Sequence, residues 1–597
     1  MKSLLLGYDA LNRPVRLDPD TRKTAMHVIG ASGSGKSKFL ESMIRGDLKN
    51  RTGCALLDPH GTLYSDVVSY CAHHVLGRDI IPLNLSAPNS IVGFNPFQKA
   101  NIASVSVQVD RRIAATMHAW NVESTDQTPT LERTLRLIYT VMLDQNLPLP
   151  QVQHLIDFNS GKIRGQLIDR LQTPLIQKEW RELQQLKPKE WRDEILSAKN
   201  RLFRFLTSPA LTRFMGLPDR TLDLKAVMDE GKVLLVNLAP SDDLSEENAR
   251  VFGALLVNEF FECARRRQKD SRGQDPKPFY LYMDEFQNFV SLDIADMLDQ
   301  VRKFGLFAVL SHQRFGQLDE NITDAVLTNC RIKAVFGGLT AGSARLMAEE
   351  LFINKLDPKK IKVAIYQTKF WPKEETRQVR TRGTSHTSSS GWSETSASGT
   401  SFGSTTGEFF GPDQWFGSGS MGGKSTSDSS GSSSMSSSGS SSSDSNGESE
   451  SVADIPVFVP VPFQELSTVQ YYSLEEQLTE LTAALKEQYA RHCFIKIPGE
   501  DTEPMLVPKV EQFYTAEKNI RRYEDKLLAK NNALPAAEVD NLIAAQETAL
   551  LKAAQSPIIN VTATADEPEP PEPIEPQPPD QPLWTRTSRS SKKKPKP

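Results

Sequence analysis

The sequence predicts an α/β protein: a doubly wound sheet around a phosphate-binding loop, with an all-helical insertion and a small C-terminal α+β module. Three observations point there. Residues 27–40 read HVIGASGSGKSKFL, a glycine-rich turn between a β-prone run and a helical pattern. Short apolar runs bounded by turn signals alternate with helical stretches along much of the chain. Finally, the texture changes near residue 101, where it becomes purely helical, and again near residue 384, where it becomes Gly/Ser-rich.

The glycine-rich turn satisfies G-x-x-x-x-G-K-[ST] in full, with Gly30, Gly35, Lys36 and Ser37 as its fixed points. Binding phosphate requires backbone N–H groups curled inward around an anion, and glycine permits that curl because it has no Cβ. Gly30, Ala31, Ser32, Gly33, Ser34 and Gly35 would form the cradle. Lys36 would reach the β- and γ-phosphates, and the Ser37 hydroxyl would ligate Mg²⁺. Phe39, Leu40 and Met43 recur at helical spacing just beyond, so a helix N-terminus adds its dipole to the anion site. ATP with Mg²⁺ is the ligand this pattern calls for.

The expected strands are 52–61 (TGCALLDPHG), 232–240 (KVLLVNLAP), 278–285 (PFYLYMDE), 306–313 (LFAVLSHQ) and 331–338 (RIKAVFGG). Each is short and continuously apolar, as strands buried on both faces of a parallel sheet are. They place a first motor segment in 1–100, a helical insertion in 101–210 and a second motor segment in 211–383. From 384 to 453 too little apolar surface is present to offset ordering entropy, so the segment reads as a disordered tether spanning roughly 45 Å. A small module is expected in 454–555, where Leu474, Leu478, Leu481 and Leu485 form a helical stripe and residues 492–510 suggest a strand pair. Residues 556–597 are an acidic, proline-rich spacer with a basic tip, SKKKPKP, read as a solvated tail.

Composition narrows the function classes. The chain has 597 residues and a net charge of −4, so it exerts no global pull on nucleic acid and any DNA contact must be local. Its five cysteines form no C-x-x-C pair, which argues against a zinc site or disulfide framework and suits a reducing cytosol. No uninterrupted apolar run reaches about 18 residues, so no transmembrane helix is expected. The start, MKSLLLGYDALNRPV, turns polar too soon for a signal peptide.

A second constellation lies in PFYLYMDEFQNFV, where an apolar strand ends in Asp284-Glu285. Beside a phosphate loop, Asp284 would hold Mg²⁺ and Glu285 would orient and deprotonate the attacking water. A third is DQVRKFGLFAVLSHQ, in which Gln313 ends the strand expected next to that of Asp284 and so lies near the γ-phosphate. Arg302 precedes this strand. It suits charge stabilisation on a transferring phosphoryl group, but spacing alone favours one more cation on a solvated helix.

Taken in order, GASGSGKS, LLDPHGTL, GFNPFQ, KVLLVNLAP, YLYMDEFQNF and VRKFGLFAVLSHQ resemble type IV coupling proteins, the TraG/TraD-like conjugative ATPases of the HerA/FtsK branch of RecA-like motors. The resemblance covers roughly residues 1–380 and, more weakly, 454–515. It implies a hexameric ATP-driven DNA translocase that feeds DNA, or a DNA–relaxase complex, to secretion-channel proteins. Under it Glu285 is the catalytic acid, Asp284 a Mg²⁺ ligand, Gln313 a γ-phosphate sensor and Arg302 an arginine finger reaching into the neighbouring subunit.

The family usually begins with membrane-spanning helices, whereas this sequence begins almost directly at the motor, so a cytoplasmic protein, peripheral at the inner face of the membrane, is expected. A cytosolic HerA-like motor acting beside a nuclease and an ATP-gated scaffold for protein substrates are the rival readings. Asp58 and His60 could belong to the site or to a local Asp-Pro turn. His73-His74 have no further metal ligand at suitable spacing, and the basic run at 263–269 suits a helix C-terminus.

Overall fold

The computed structural model describes residues 2–98, 104–120, 122, 129–217, 222–267, 275–290, 298, 300, 302–383 and 449–555. The expected tether from 384 to 448 and the tail from 556 onward lie outside the described residues.

The motor is organised by strands whose side chains are buried on both faces. These are β3 (Met26–Ile29), β4 (Gly53–Asp58), β5 (Ile80–Asn84), β7 (Val233–Asn237), β8 (Phe279–Met283), β9 (Leu306–His312) and β10 (Ile332–Phe336). They pair in parallel in the order β10-β3-β9-β8-β4-β7-β5. Strand β9 therefore separates the phosphate-loop strand β3 from β8, which carries the acid pair. All five strands expected from sequence are present, and β5, which ends in a polar Asn84, is an addition. This is the α/β arrangement of a RecA-like P-loop core.

Between the two-residue strand β6 (Ser90–Ile91) and β7, the described residues are helical. The helices include Val105–Ala119, Pro129–Asp144 and Pro188–Leu206. Trp180 fills their centre, and its indole N–H donates to the carbonyl of Leu137 at 3.2 Å.

The sheet is extended on the β10 side by four antiparallel strands, in the order β2-β1-β14-β13. Strands β1 (Leu4–Tyr8) and β2 (Pro14–Leu17) come from the chain's start, and β13 (His492–Lys496) and β14 (Glu503–Leu506) from the stretch 454–555. The latter pair does not form a sheet of its own. A lone two-stranded hairpin is marginal in water, and docking on β10 buries Cys493, Ile495 and Met505. Downstream helices follow the same surface. Helix Leu474–Lys486 packs on helix Ala341–Phe352, burying Leu478 and Leu485 of the leucine stripe while Leu474 stays exposed. Helix Glu517–Lys530 lies on Thr62–His74, where the Tyr64 hydroxyl donates to Glu524 at 2.9 Å. The helix Ala536–Gln555 reaches the helical insertion through Glu547 and His154, 2.9 Å apart.

Strands β11 (Ile361–Gly383) and β12 (Ser449–Tyr471) form a separate two-stranded ribbon, 23 residues on each side. Its length is roughly 75 Å. The last residues assigned to the tether, 449–453, are thus strand.

Candidate nucleotide site

The loop between β3 and helix Lys36–Asn50 closes on itself. Gly33 (φ 78°) and Gly35 (φ 110°) adopt left-handed backbone conformations that side chains resist. A Cβ on Gly30 would stand 2.5 Å from that of Phe336, so the loop can pass over β10 only with glycine there. The Lys36 ammonium lies inside the curl, donating to the carbonyls of Gly30 at 2.5 Å and Ala31 at 3.4 Å. Burial lowers its pKa, and the charges of Glu285 and Asp284 oppose that shift. Ser37 is exposed at the start of the helix.

Both acids sit where β8 ends. Asp284 is 4 % exposed, and its Oδ1 accepts from the Ser311 hydroxyl at 2.8 Å. Burial pushes the Asp284 carboxyl above its ordinary value, aided by the charges of Glu285 and Asp58, while Ser311 and Lys36 pull it down. Glu285 holds a left-handed conformation (φ 46°), unusual for a non-glycine residue and of a kind that collects at functional sites. The bend turns its carboxylate toward β9. Its Oε1 accepts from Gln313 Nε2 at 2.8 Å, and Oε2 from Gln287 Nε2 at 2.9 Å.

The structure therefore brings together Lys36, Asp284, Glu285 and Gln313 at the carboxyl ends of β3, β8 and β9, with Ser37 on the loop helix. Arg302 is not among them. It precedes the opposite end of β9, exposed, with its Nε donating to the carbonyl of Lys23 at 2.9 Å. Seven strand residues, about 23 Å, separate the two ends.

Asp58 is held by its own turn: its oxygens accept from the backbone N–H groups of His60 at 2.9 Å and Tyr64 at 2.8 Å, and His60 is exposed. His73 stacks on Phe513 at 4.5 Å. Within the basic run, Arg267 is buried against Asp229 at 2.7 Å and against backbone carbonyls.

Sequence reasoning missed four partners. Ser311 and His312 stand immediately before Gln313, and His27 lies at the start of the quoted stretch. The imidazoles of His27 and His312 are buried, stacked at 4.9 Å, with their Nε2 atoms 2.7 Å apart. His312 Nδ1 lies 3.2 Å from the Arg314 carbonyl, which it can only meet as a donor. Its Nε2 then accepts from His27. Burial keeps both rings neutral, lowering His312 to about 3 and His27 well below its ordinary value. The fourth is Arg491, whose backbone N–H donates to the Ser34 carbonyl at 2.8 Å. No motif announces a backbone contact more than 450 residues away in sequence.

The donor set suits Mg²⁺ beside a phosphate: a hydroxyl on the loop helix and a buried carboxylate oriented by Ser311, with the glycine-backbone cradle left for the anion. Among the described residues no group of three or more His, Cys, Asp or Glu could hold a metal on its own, so phosphate oxygens would have to complete the coordination.

These features define the class: a P-loop nucleotide-binding fold with an acidic pair, Asp284 and Glu285, one strand removed from the phosphate loop. Residues 278–351 match the family model described as the TraM recognition site of TraD and TraG. The resemblance to TraG/TraD-like coupling proteins therefore holds over the segment carrying Asp284, Glu285, Arg302 and Gln313. No curated protein matches the chain. Among solved structures, the chain is similar to the bacterial conjugative coupling protein TrwB lacking its N-terminal segment (19% identity, 58% of this chain and 77% of that one, TM-score 0.39). It is also similar to TrwB in complex with the ATP analogue ADPNP (18%, 56% and 76%, TM-score 0.40). A third similarity is to VirB4 of Thermoanaerobacter pseudethanolicus (11%, 58% and 87%, TM-score 0.39). Likenesses this remote do not transfer an activity. Among the described residues no helix is long and apolar enough to cross a membrane.

Proposed function

We propose that this chain hydrolyses ATP to move DNA, as a coupling protein of conjugative type IV secretion. The observation that carries the reading is the Gln313–Glu285–Asp284 cluster beside Lys36, within the segment that matches the TraG/TraD model.

In this reading the loop amides and Lys36 bind the triphosphate, and Glu285, fixed by Gln287 and Gln313, takes a proton from the attacking water. Ser37 and Asp284 would hold Mg²⁺, which would supply charge neutralisation at the phosphates. Gln313 donates to Glu285, so loss of the γ-phosphate alters a bond at the tip of β9. Arg302 stands too far from its own Glu285 to act there, so its part in hydrolysis falls on the nucleotide of a neighbouring copy in a hexameric ring. Mixing Lys36→Ala with Arg302→Ala subunits should then restore part of the hydrolysis that each lacks alone; no recovery, in a ring that tolerates doped inactive subunits, removes Arg302 from the site.

The partners proposed are DNA held through its backbone, a relaxase, channel proteins and a TraM-like protein docking on 278–351. The test is ATP hydrolysis with and without DNA. Turnover should rise with DNA, and the rise should shrink steeply from low to moderate salt as phosphate contacts are screened. DNA-indifferent turnover at every salt would favour the scaffold reading.

A further inference from the structure

The acids and Gln313 account for only one flank of the phosphate loop. On its other flank stand β10 and then β13, and here the chain approaches the loop closely. Ala31 N–H donates to the Gly337 carbonyl at 3.0 Å, and Gly338 N–H to the Lys486 carbonyl at 2.9 Å. A Cβ on Gly337 would stand 2.5 Å from the Gln488 carbonyl oxygen, and one on Gly35 would meet the Arg491 nitrogen at 3.0 Å.

The turn Tyr489–His492, closed by His492 N–H donating to the Tyr489 carbonyl at 3.0 Å, leads from this contact into β13. Arg491 takes its third position with φ 71°, where glycine or asparagine is normally required. The strain persists because the residue is tied on every side. Its N–H holds Ser34, its carbonyl accepts from Val507 N–H at 2.8 Å, and its guanidinium donates twice to the Val507 carbonyl, at 2.7 and 3.1 Å. Two of the guanidinium nitrogens are thereby committed to Val507. What the pinned turn presents to solvent instead is the Tyr489 ring, 54 % exposed, with the His492 ring 6.1 Å away.

We propose that this turn is the base subsite of the nucleotide site, with the Tyr489 ring as the platform on which the purine stacks. The proposal rests on the nucleotide reading above and deepens it. A triphosphate whose γ end meets Glu285 and Gln313 must extend its ribose and base away from them, toward β10 and β13, and Tyr489 is the exposed aromatic residue on that side that the loop contact holds in place. An aromatic face takes any purine, so the subsite adds affinity with little choice between adenine and guanine.

The test compares ATP with inorganic tripolyphosphate, each with Mg²⁺, by calorimetric binding to the full chain. The unaltered protein should bind ATP more tightly than tripolyphosphate. Tyr489→Ala should weaken ATP binding about tenfold and leave tripolyphosphate binding as it was, and Tyr489→Phe should keep the ATP affinity. Unchanged ATP affinity in Tyr489→Ala, with the preference over tripolyphosphate intact, places the base elsewhere and overturns the proposal. Failure of the unaltered protein to bind either probe would overturn the nucleotide reading itself, and this subsite with it.

Discussion

The nucleotide end of the sheet and the β11–β12 ribbon differ in what holds each side chain. Around the phosphate loop, Lys36, Asp284, Glu285, Ser311 and His312 are buried, and their polar atoms meet partners in the loop or on neighbouring strands. On the ribbon, Tyr366, Phe370, Trp371, Phe458 and Leu466 are each more than half exposed, and only the backbone ladder orders them. Position in the first region is over-determined, so a lost partner there costs both stability and chemistry. In the second it is local, so a loss should stay local.

The largest stability effect is expected under the sheet. Arg22 is buried with both guanidinium nitrogens on Asp47, at 2.5 and 2.7 Å, and the Tyr282 hydroxyl donates to the same carboxylate at 2.6 Å. Asp47→Ala leaves a buried cation without its counter-charge, which costs about 3–5 kcal/mol. Denaturant unfolding measures it, and a loss under 1 kcal/mol would mean that the sheet's buried contacts hold no more firmly than the ribbon.

Next comes the buried histidine pair. Both rings have folded pKa values below the ordinary 6.5, so the unfolded chain binds more protons as pH falls. Their stabilising contribution is therefore present above pH 6.5 and lost on acidification toward the folded values. Between pH 6.5 and 5.5 the two rings together should cost about 2 kcal/mol. A His27→Leu/His312→Leu double variant should flatten that slope; an unchanged slope would assign it to other groups.

The smallest effect is expected from the ribbon. Joining β11 to β12 by a short turn in place of 366–466 removes, among the described residues, exposed side chains and no buried core. The melting temperature should stay within about 2 °C. A large fall would show that the ribbon packs on the motor after all.

The same contrast explains what could be read from sequence. The parallel strands announced themselves because burial on both faces leaves a continuous apolar run, and the loop, Asp284-Glu285 and Gln313 because their chemistry is local to strand ends. The ribbon left no such mark. Pro456, Pro460 and Pro462 interrupt β12, Pro372 faces Pro460, and without a buried face there is no alternation to find. The placement of β13 and β14 was hidden for another reason. Their pairing was legible, but the edge they complete belongs to β10, more than 150 residues earlier. Ser311, His27 and Arg491 were missed because each acts through a tertiary contact.

We propose that Glu285, oriented by Gln313, is the base that activates water beside a loop that binds ATP independently. Glu285→Gln keeps the side chain's size and its capacity to hydrogen-bond but removes the base. The decisive measurement is ATP binding and single-turnover hydrolysis on that one variant. ATP should bind as in the unaltered protein, while the hydrolytic rate falls by about 10²–10⁴. Hydrolysis at the normal rate would contradict the assignment, and so would a loss of binding equal to the loss of turnover.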